Sequence, residues 1–190
     1  VNTSPLSSEV RLQNGIPHVR HSPGQTAYYV DSAAGNDALA GTSPDQAWKS
    51  LECVNRTVFA QGDRILLKAG SSFSGRLSPQ GSGKEGNPVV IDSYGQGEKP
   101  LIEAGGKYSE ALLLANQEYW EVNNLALTNT GPARETFRYG ARIRGWDFGT
   151  MHHIQLKNLF VHDVNGSLIK NDRGEGHGIA WENGGKNRPS

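Results

Sequence analysis

Two nine-residue lines of this chain superimpose at a fixed distance, and that repeat limits the folds open to it more than any other feature. Trp120, Val122, Leu125 and Leu127 fall over Ile154, Leu156, Leu159 and Val161, each pair 34 residues apart. Two further alternating segments, Tyr139 to Arg144 and His177 to Glu182, lie between and after them and end in glycine-rich turns. Alternation sends successive side chains to opposite faces, so each short segment has an apolar face that it cannot bury alone. Units of this length must stack on one another, which is the logic of a solenoid.

Composition agrees with short strands. Twenty-four glycines, nine prolines and one methionine favour strands and turns over long helices. A chain of 190 residues suits one sizeable core. Lys plus Arg equals Asp plus Glu at 19 each, so no global basic field exists for a nucleic acid or an anionic membrane, and any polyanion must be gripped locally. No run approaches the ~18 apolar residues of a membrane span, and the first residues lack the order of a signal peptide. Taken alone, the residues leave a cytosolic protein and one with its signal already removed both open. Cys53 reads as a small buried hydrophobe, and the glycosylation sequons at Asn2, Asn55 and Asn165 suit chance in a chain rich in Asn, Ser and Thr.

Residues 1–26 show no sustained period and read as an N-terminal arm that holds His18 and His21. From Ala27 the chain becomes more specific. A strand over Ala27 to Asp31 precedes turns at Gly35-Asn36-Asp37 and Gly41-Thr42-Ser43-Pro44, and the spacing of Ala47, Trp48, Leu51 and Val54 predicts a short amphipathic helix over Asp45 to Asn55. Gly62-Asp63 then leads into the strand Arg64 to Gly70, and Gly86-Asn87-Pro88-Val89-Val90-Ile91 and Pro100-Leu101-Ile102-Glu103 follow. In this order the elements resemble the N-terminal cap and first rungs of right-handed parallel β-helix proteins of the pectin-lyase-like superfamily. The resemblance covers residues 27 to about 185. It implies an all-β right-handed parallel β-helix solenoid over 27–190 with a short N-terminal capping helix, and a secreted or periplasmic protein whose signal peptide has been removed. Asn124 and Asn158 share one phase of successive rungs and are expected to form an asparagine ladder. Because no element after Glu182 can cover the last rung, the solenoid is expected to be incomplete at its C-terminal end, with a further chain or segment completing it.

Candidate chemistry sits on the outward phase. Arg142 and Arg144 face out, with Glu182 as a vertical neighbour of Arg144, and Arg134 and Arg138 lie close in sequence. A local arginine cluster on a neutral protein suits an anionic polysaccharide, whose carboxylates accept bidentate guanidinium contacts. A salt-bridge ladder accounts for the same residues. Lys157, Phe160 and His162 face out in the other repeat, and an aromatic face beside a polar group can hold a sugar. The loop from Asn165 to His177 is dense in reactive side chains. Elimination across a uronic acid needs a cation at the carboxylate, a base and an acid, roles open to Lys170, Arg173 and His177 with His162 as an alternative base. Asn171, Glu175 and Glu182 are candidate ligands for Ca2+, which resembles the calcium-assisted chemistry of some β-helix lyases. His152 and His153, adjacent on a strand, point to opposite faces and cannot chelate together. Hydrolysis would require two carboxylates across a cleft, for which Asp163, Asp172, Glu175 and Glu182 are available.

These features favour a polysaccharide lyase acting on a uronate-containing glycan such as alginate or pectate. A glycoside hydrolase on the same fold and a non-catalytic glycan-binding β-helix remain as alternatives.

Overall fold

The computed structural model describes residues 19–169 and 176–186. Its strands fall into four sheets in which every pairing is parallel. The smallest contains β1 (Arg20–His21), β3 (Thr57–Phe59) and β6 (Gln80–Gly81). The longest stacks β2 (Ala27–Val30), β4 (Arg64–Lys68), β7 (Val89–Tyr94), β10 (Trp120–Asn123) and β13 (Ile154–Lys157). A four-stranded sheet holds β5 (Ser72–Ser74), β8 (Leu101–Glu103), β11 (Ala126–Asn129) and β14 (Phe160–Val164). The last sheet has β9 (Glu110–Ala115), β12 (Tyr139–Trp146) and β15 (His177–Gly184).

Register explains the core. In the longest sheet Tyr28, Ile65, Ile91, Val122 and Leu156 occupy successive paired positions, and in the four-stranded sheet Phe73, Ile102, Leu127 and Val161 do the same. Leu112 pairs with Ala141, and Leu114 with Ile143. These files meet in one apolar cluster, where each fully buried Leu or Ile contributes about 1.5–3 kcal/mol. The 34-residue match of the sequence appears here as the pairs Trp120 with Ile154 and Leu127 with Val161.

A tight corner joins the longest sheet to the four-stranded one. Asn124 and Asn158 sit there in the left-handed region, at φ 59° and 51°, which Asn tolerates better than most side chains. The Asn158 amide donates to Asn124 Oδ1 at 2.6 Å, and Asn124 donates in turn to Asp92 Oδ1 at 2.7 Å. The ladder therefore extends to an aspartate one coil earlier.

The fold class expected from the sequence, a right-handed parallel β-helix solenoid with an N-terminal capping helix, is corrected in two respects. No single helix covers Asp45 to Asn55: Pro44–Gln46 forms a 3-10 turn and α1 spans only Leu51–Asn55. Backbone pairing wins at Trp48, whose N–H donates to Tyr29 O at 2.9 Å while its carbonyl accepts from Asp31 at 2.8 Å, so Trp48 cannot also be helical. Nor is the repeat uniform. Trp120 follows its partner Val89 by 31 residues and precedes Ile154 by 34, whereas Tyr139 follows Glu110 by 29 and precedes His177 by 38. The connection from β14 to β15 is longer than the one from β11 to β12. The sheets also hold unequal numbers of strands.

Candidate functional site

The outer face of the sheet formed by β9, β12 and β15 carries a dense set of charged and aromatic groups. Ala141 and Ile143 of β12 pack into the core, which turns Arg142 and Arg144 outward. A file of alternating charge crosses the strands at this level. Arg76 Nη1 lies 2.9 Å from Glu110 Oε1, Glu110 Oε2 lies 3.8 Å from Arg142 Nη1, and Arg142 donates to Glu182 Oε2 from Nη2 at 2.7 Å and from Nε at 3.2 Å. The Glu110 side chain is only 3% exposed, and its Oε2 accepts no hydrogen bond. Burial, the largest single influence, disfavours the Arg142 cation, but the hydrogen bonds to Glu182 together with the charges of Glu182, Tyr139 and Glu110 outweigh it and hold its pKa above the ordinary value.

Tyr139 lies outside the apolar cluster and organises this file. The Arg142 guanidinium carbon sits 4.8 Å from its ring centre, and the His177 ring stacks on it at 5.7 Å. Burial chiefly, opposed by the Arg142 charge and aided by the nearby Glu182 and Glu110 carboxylates, pushes the Tyr139 hydroxyl up, so it remains a neutral phenol. Arg144 behaves differently. It is the strand neighbour of Glu182, as its phase predicts, yet its guanidinium lies 4.9 Å from the Trp146 ring centre and its buried Nε has no partner. Trp146 is 51% exposed. Asn116 fixes its backbone, accepting from Trp146 N–H at 2.7 Å and donating to its carbonyl at 3.1 Å. Gly184 makes room for the ring, because a Cβ there would come within 2.6 Å of it.

The structure thus gathers Arg142, Arg144, His177 and Glu182, and separates the other candidates from them. Lys157 belongs to the longest sheet and faces Glu121 at 3.5 Å. Phe160 and His162 stand on the four-stranded sheet with their rings stacked at 4.3 Å. Lys170, Asn171, Arg173 and Glu175, together with Asp172, lie outside the described residues. Arg138 is not part of a ligand-binding patch: it is buried and donates to Ala133 O at 2.5 Å and to Asn165 Oδ1 at 2.6 Å, stapling its loop. Arg134 likewise donates to Gly166 O at 3.1 Å.

Sequence reasoning missed Arg76, Glu110, Tyr139 and Trp146. One signal was available, since Arg76 and Glu110 stand 34 residues apart, the offset of the apolar repeat. His152 and His153 each take a separate carboxylate, Glu118 at 2.7 Å and Glu121 at 2.9 Å. Burial, with Asp37 nearby, pushes the Cys53 thiol up to about 12, so at neutral pH it is a thiol and not a nucleophilic thiolate.

Chemically, the site offers one carboxylate at its rim, Glu182, held by the Arg142 guanidinium. Beside it stand an exposed indole and a guanidinium without an ion-pair partner among the described residues. Glu110 and Glu182 lie two strands apart, about 10 Å along the stacking direction, and both reach toward Arg142. Among the described residues no group of three or more His, Cys, Asp or Glu side chains is arranged to hold a metal ion. Of the residues expected to bind Ca2+, Glu182 gives its oxygen to Arg142.

No family model matches the chain. Its sequence is 29% identical over 203 residues to the lacto-N-biosidase of Bifidobacterium longum subsp. longum, a match that covers 80% of this chain and 13% of that protein. It is 36% identical over 70 residues to alpha-1,3-galactosidase A of Akkermansia muciniphila, covering 37% of this chain and 12% of that protein. Among solved structures, the GH136 lacto-N-biosidase from Eubacterium ramulus superposes with a TM-score of 0.73 at 31% identity, over 84% of this chain and 30% of that one.

These likenesses correct the pectin-lyase-like resemblance, the fold class attached to it and the polysaccharide-lyase reading. Stacked short strands produce similar sequence periodicity whatever chemistry the outer face carries, so the periodicity could not name the enzyme class. The chain is similar, in sequence and in fold, to a segment of a GH136 lacto-N-biosidase.

Proposed function

We propose that this chain forms part of a secreted glycoside hydrolase that acts on neutral, galactose-containing glycans. The superposition on a lacto-N-biosidase at 31% identity and a TM-score of 0.73 carries this reading, and the named galactosidase relative supports it. Elimination requires a carboxylate adjacent to the C–H bond that is broken, because only then is that proton acidic enough to leave. A neutral galactoside has no such group, and its glycosidic bond is opened by water with a carboxyl pair.

Glu182 is assigned to the base or nucleophile side of that pair. Arg142 donates to its Oε2 from both Nη2 and Nε, which occupies that oxygen as an acceptor and suits a base or nucleophile better than a proton donor. Trp146 offers a flat face to a sugar ring, with the Arg144 guanidinium against it. A further polypeptide segment belongs to the proposal as well. Ile179 and Trp181 occupy the inward phase of β15 yet are 49% and 56% exposed, a face suited to one more parallel strand.

The test is release of the aryl group from aryl lacto-N-bioside and aryl α-galactoside, run beside ultraviolet monitoring of alginate and pectate. Aryl release without an unsaturated product is expected. Glu182→Gln should lower kcat by about 10²–10⁴ with little change in KM. Unsaturated product from a uronate, or full activity in Glu182→Gln, contradicts the assignment. Calcium added to the same assay, with a chelator as control, tests the proposed ion: activation reversed by the chelator supports a calcium requirement, and no effect of either contradicts it.

A further inference from the structure

The outer face of the four-stranded sheet holds a second constellation, which meets the charged file where the Arg76 guanidinium lies 5.6 Å from the Tyr108 ring centre. Because Phe73, Ile102 and Leu127 point into the core, the next residues point outward, and register aligns Ser74, Glu103, Thr128 and His162 in one row across the strands. At one end of the row lies a cavity of about 350 Å³ lined by Ser74, Glu103, Lys107 and Tyr108 together with the glycine backbone of the corner. Asn129, fully buried, holds the wall of that cavity. Its amide donates to Tyr108 O at 3.0 Å and Ser109 O at 3.1 Å, and its Oδ1 accepts from Gly106 N–H at 2.9 Å.

At the other end the strand is interrupted. Thr128 pairs with His162 and Asn129 with Val164, so Asp163 is an extra residue in β14, and it sits in the left-handed region at φ 50°. Neighbours on a regular strand point to opposite faces. The bulge brings Asp163 Oδ2 to 2.8 Å from His162 Nδ1, so a carboxylate and an imidazole share one face. The His162 ring stacks on Phe160, which is 56% exposed.

We infer that this row is a glycan-binding strip, separate from the hydrolytic site, that takes two or three neutral sugar units laid across the strands from Tyr108 to Phe160. The ligand class rests on the glycosidase reading; the place and shape of the strip do not. Glu103 on β8 and His162 on β14 are two strand steps apart, about 10 Å, so the cavity that Glu103 shares with Tyr108 of the following loop and the exposed Phe160 face can each meet a different ring. Between them Glu103 and Thr128 supply hydroxyl partners, and the His162–Asp163 pair offers both a donor and an acceptor. Lys107 lines the cavity together with Glu103, so the strip mixes charges of both signs with hydroxyls, a surface suited to sugar hydroxyls and unsuited to a lipid or an apolar peptide.

The test is titration of the protein with lactose, N-acetyllactosamine and an α-1,3-linked galactobiose, followed by backbone amide NMR. Saturable shifts at Tyr108, Thr128 and His162 are expected. Phe160→Ala and Tyr108→Ala should each weaken them about 10-fold, and Glu182→Gln should leave them intact. If either alanine variant fails to fold, Thr128→Arg, a surface change that fills the middle of the row, should abolish the shifts. Shifts confined to Trp146 and its neighbours, or none at all, refute the strip. Shifts at the strip with no hydrolysis of any aryl glycoside refute the hydrolase reading and leave the strip standing.

Discussion

Glu121 illustrates how one carboxylate ties two coils together. Its Oε1 meets His153 Nε2 at 2.9 Å and its Oε2 meets Lys157 Nζ at 3.5 Å, the first just before β13 and the second at its end. The hydrogen bond from His153, opposed by partial burial and helped by Lys157, lowers the Glu121 pKa below its ordinary 4.5. A carboxyl with a depressed folded-state pKa contributes stability that is complete above its unfolded value and is lost as pH falls through the folded one. The melting temperature of the wild type should therefore exceed that of Glu121→Gln at pH 6, and the gap should close as pH drops below about 4.5. A gap that stays constant down to pH 3 would show that the contact has no ionic part. Glu110 serves the outer face in a similar manner, but its burial between Arg76 and Arg142 makes it a fixed strut, whereas the Glu182 side chain is 35% exposed.

At the level of strands, what matters is how residues on different coils come into contact. Trp146 at the end of β12 owes its position to two other strands. Asn116, just after β9, clamps its backbone, and Gly184, at the end of β15, leaves space for its ring. Gly184→Ala puts a methyl group 2.6 Å from the indole and forces the ring to move. If Trp146 is a sugar platform, this substitution should raise KM several-fold, leave kcat nearly unchanged and shift the tryptophan emission. An unaltered KM would remove Trp146 from the binding role. The same dependence on neighbours explains which element assignments failed. Ala47, Trp48, Leu51 and Val54 have helical spacing, but the pairing of Trp48 with Tyr29 and Asp31 overrides local propensity and cuts the helix to Leu51–Asn55.

For the molecule as a whole, equal numbers of acidic and basic side chains predict little long-range electrostatic contribution to binding. Association with a neutral glycan should be nearly independent of ionic strength between about 50 and 500 mM, whereas a polyuronate held by arginines would be released as the Debye length shortens. Isothermal titration at both salt levels separates the two, and a steep fall in affinity would return the anionic ligand to consideration.

The apolar repeat was legible without coordinates because inward residues obey a local rule: alternation along a strand and recurrence between coils. Trp120 over Ile154, Leu127 over Val161 and the asparagine corner could all be read in this way. The outward chemistry obeys no such rule. Arg142 reaches Glu182 diagonally although Arg144 is the paired neighbour, Arg138 turns into its own loop, and Asp163 joins His162 only because a bulge reverses its direction. Each of those outcomes depends on side-chain reach and on the length of the corner loops, quantities that a chain acquires only when its coils are stacked. The interior followed from pattern, and the working surface was decided in three dimensions.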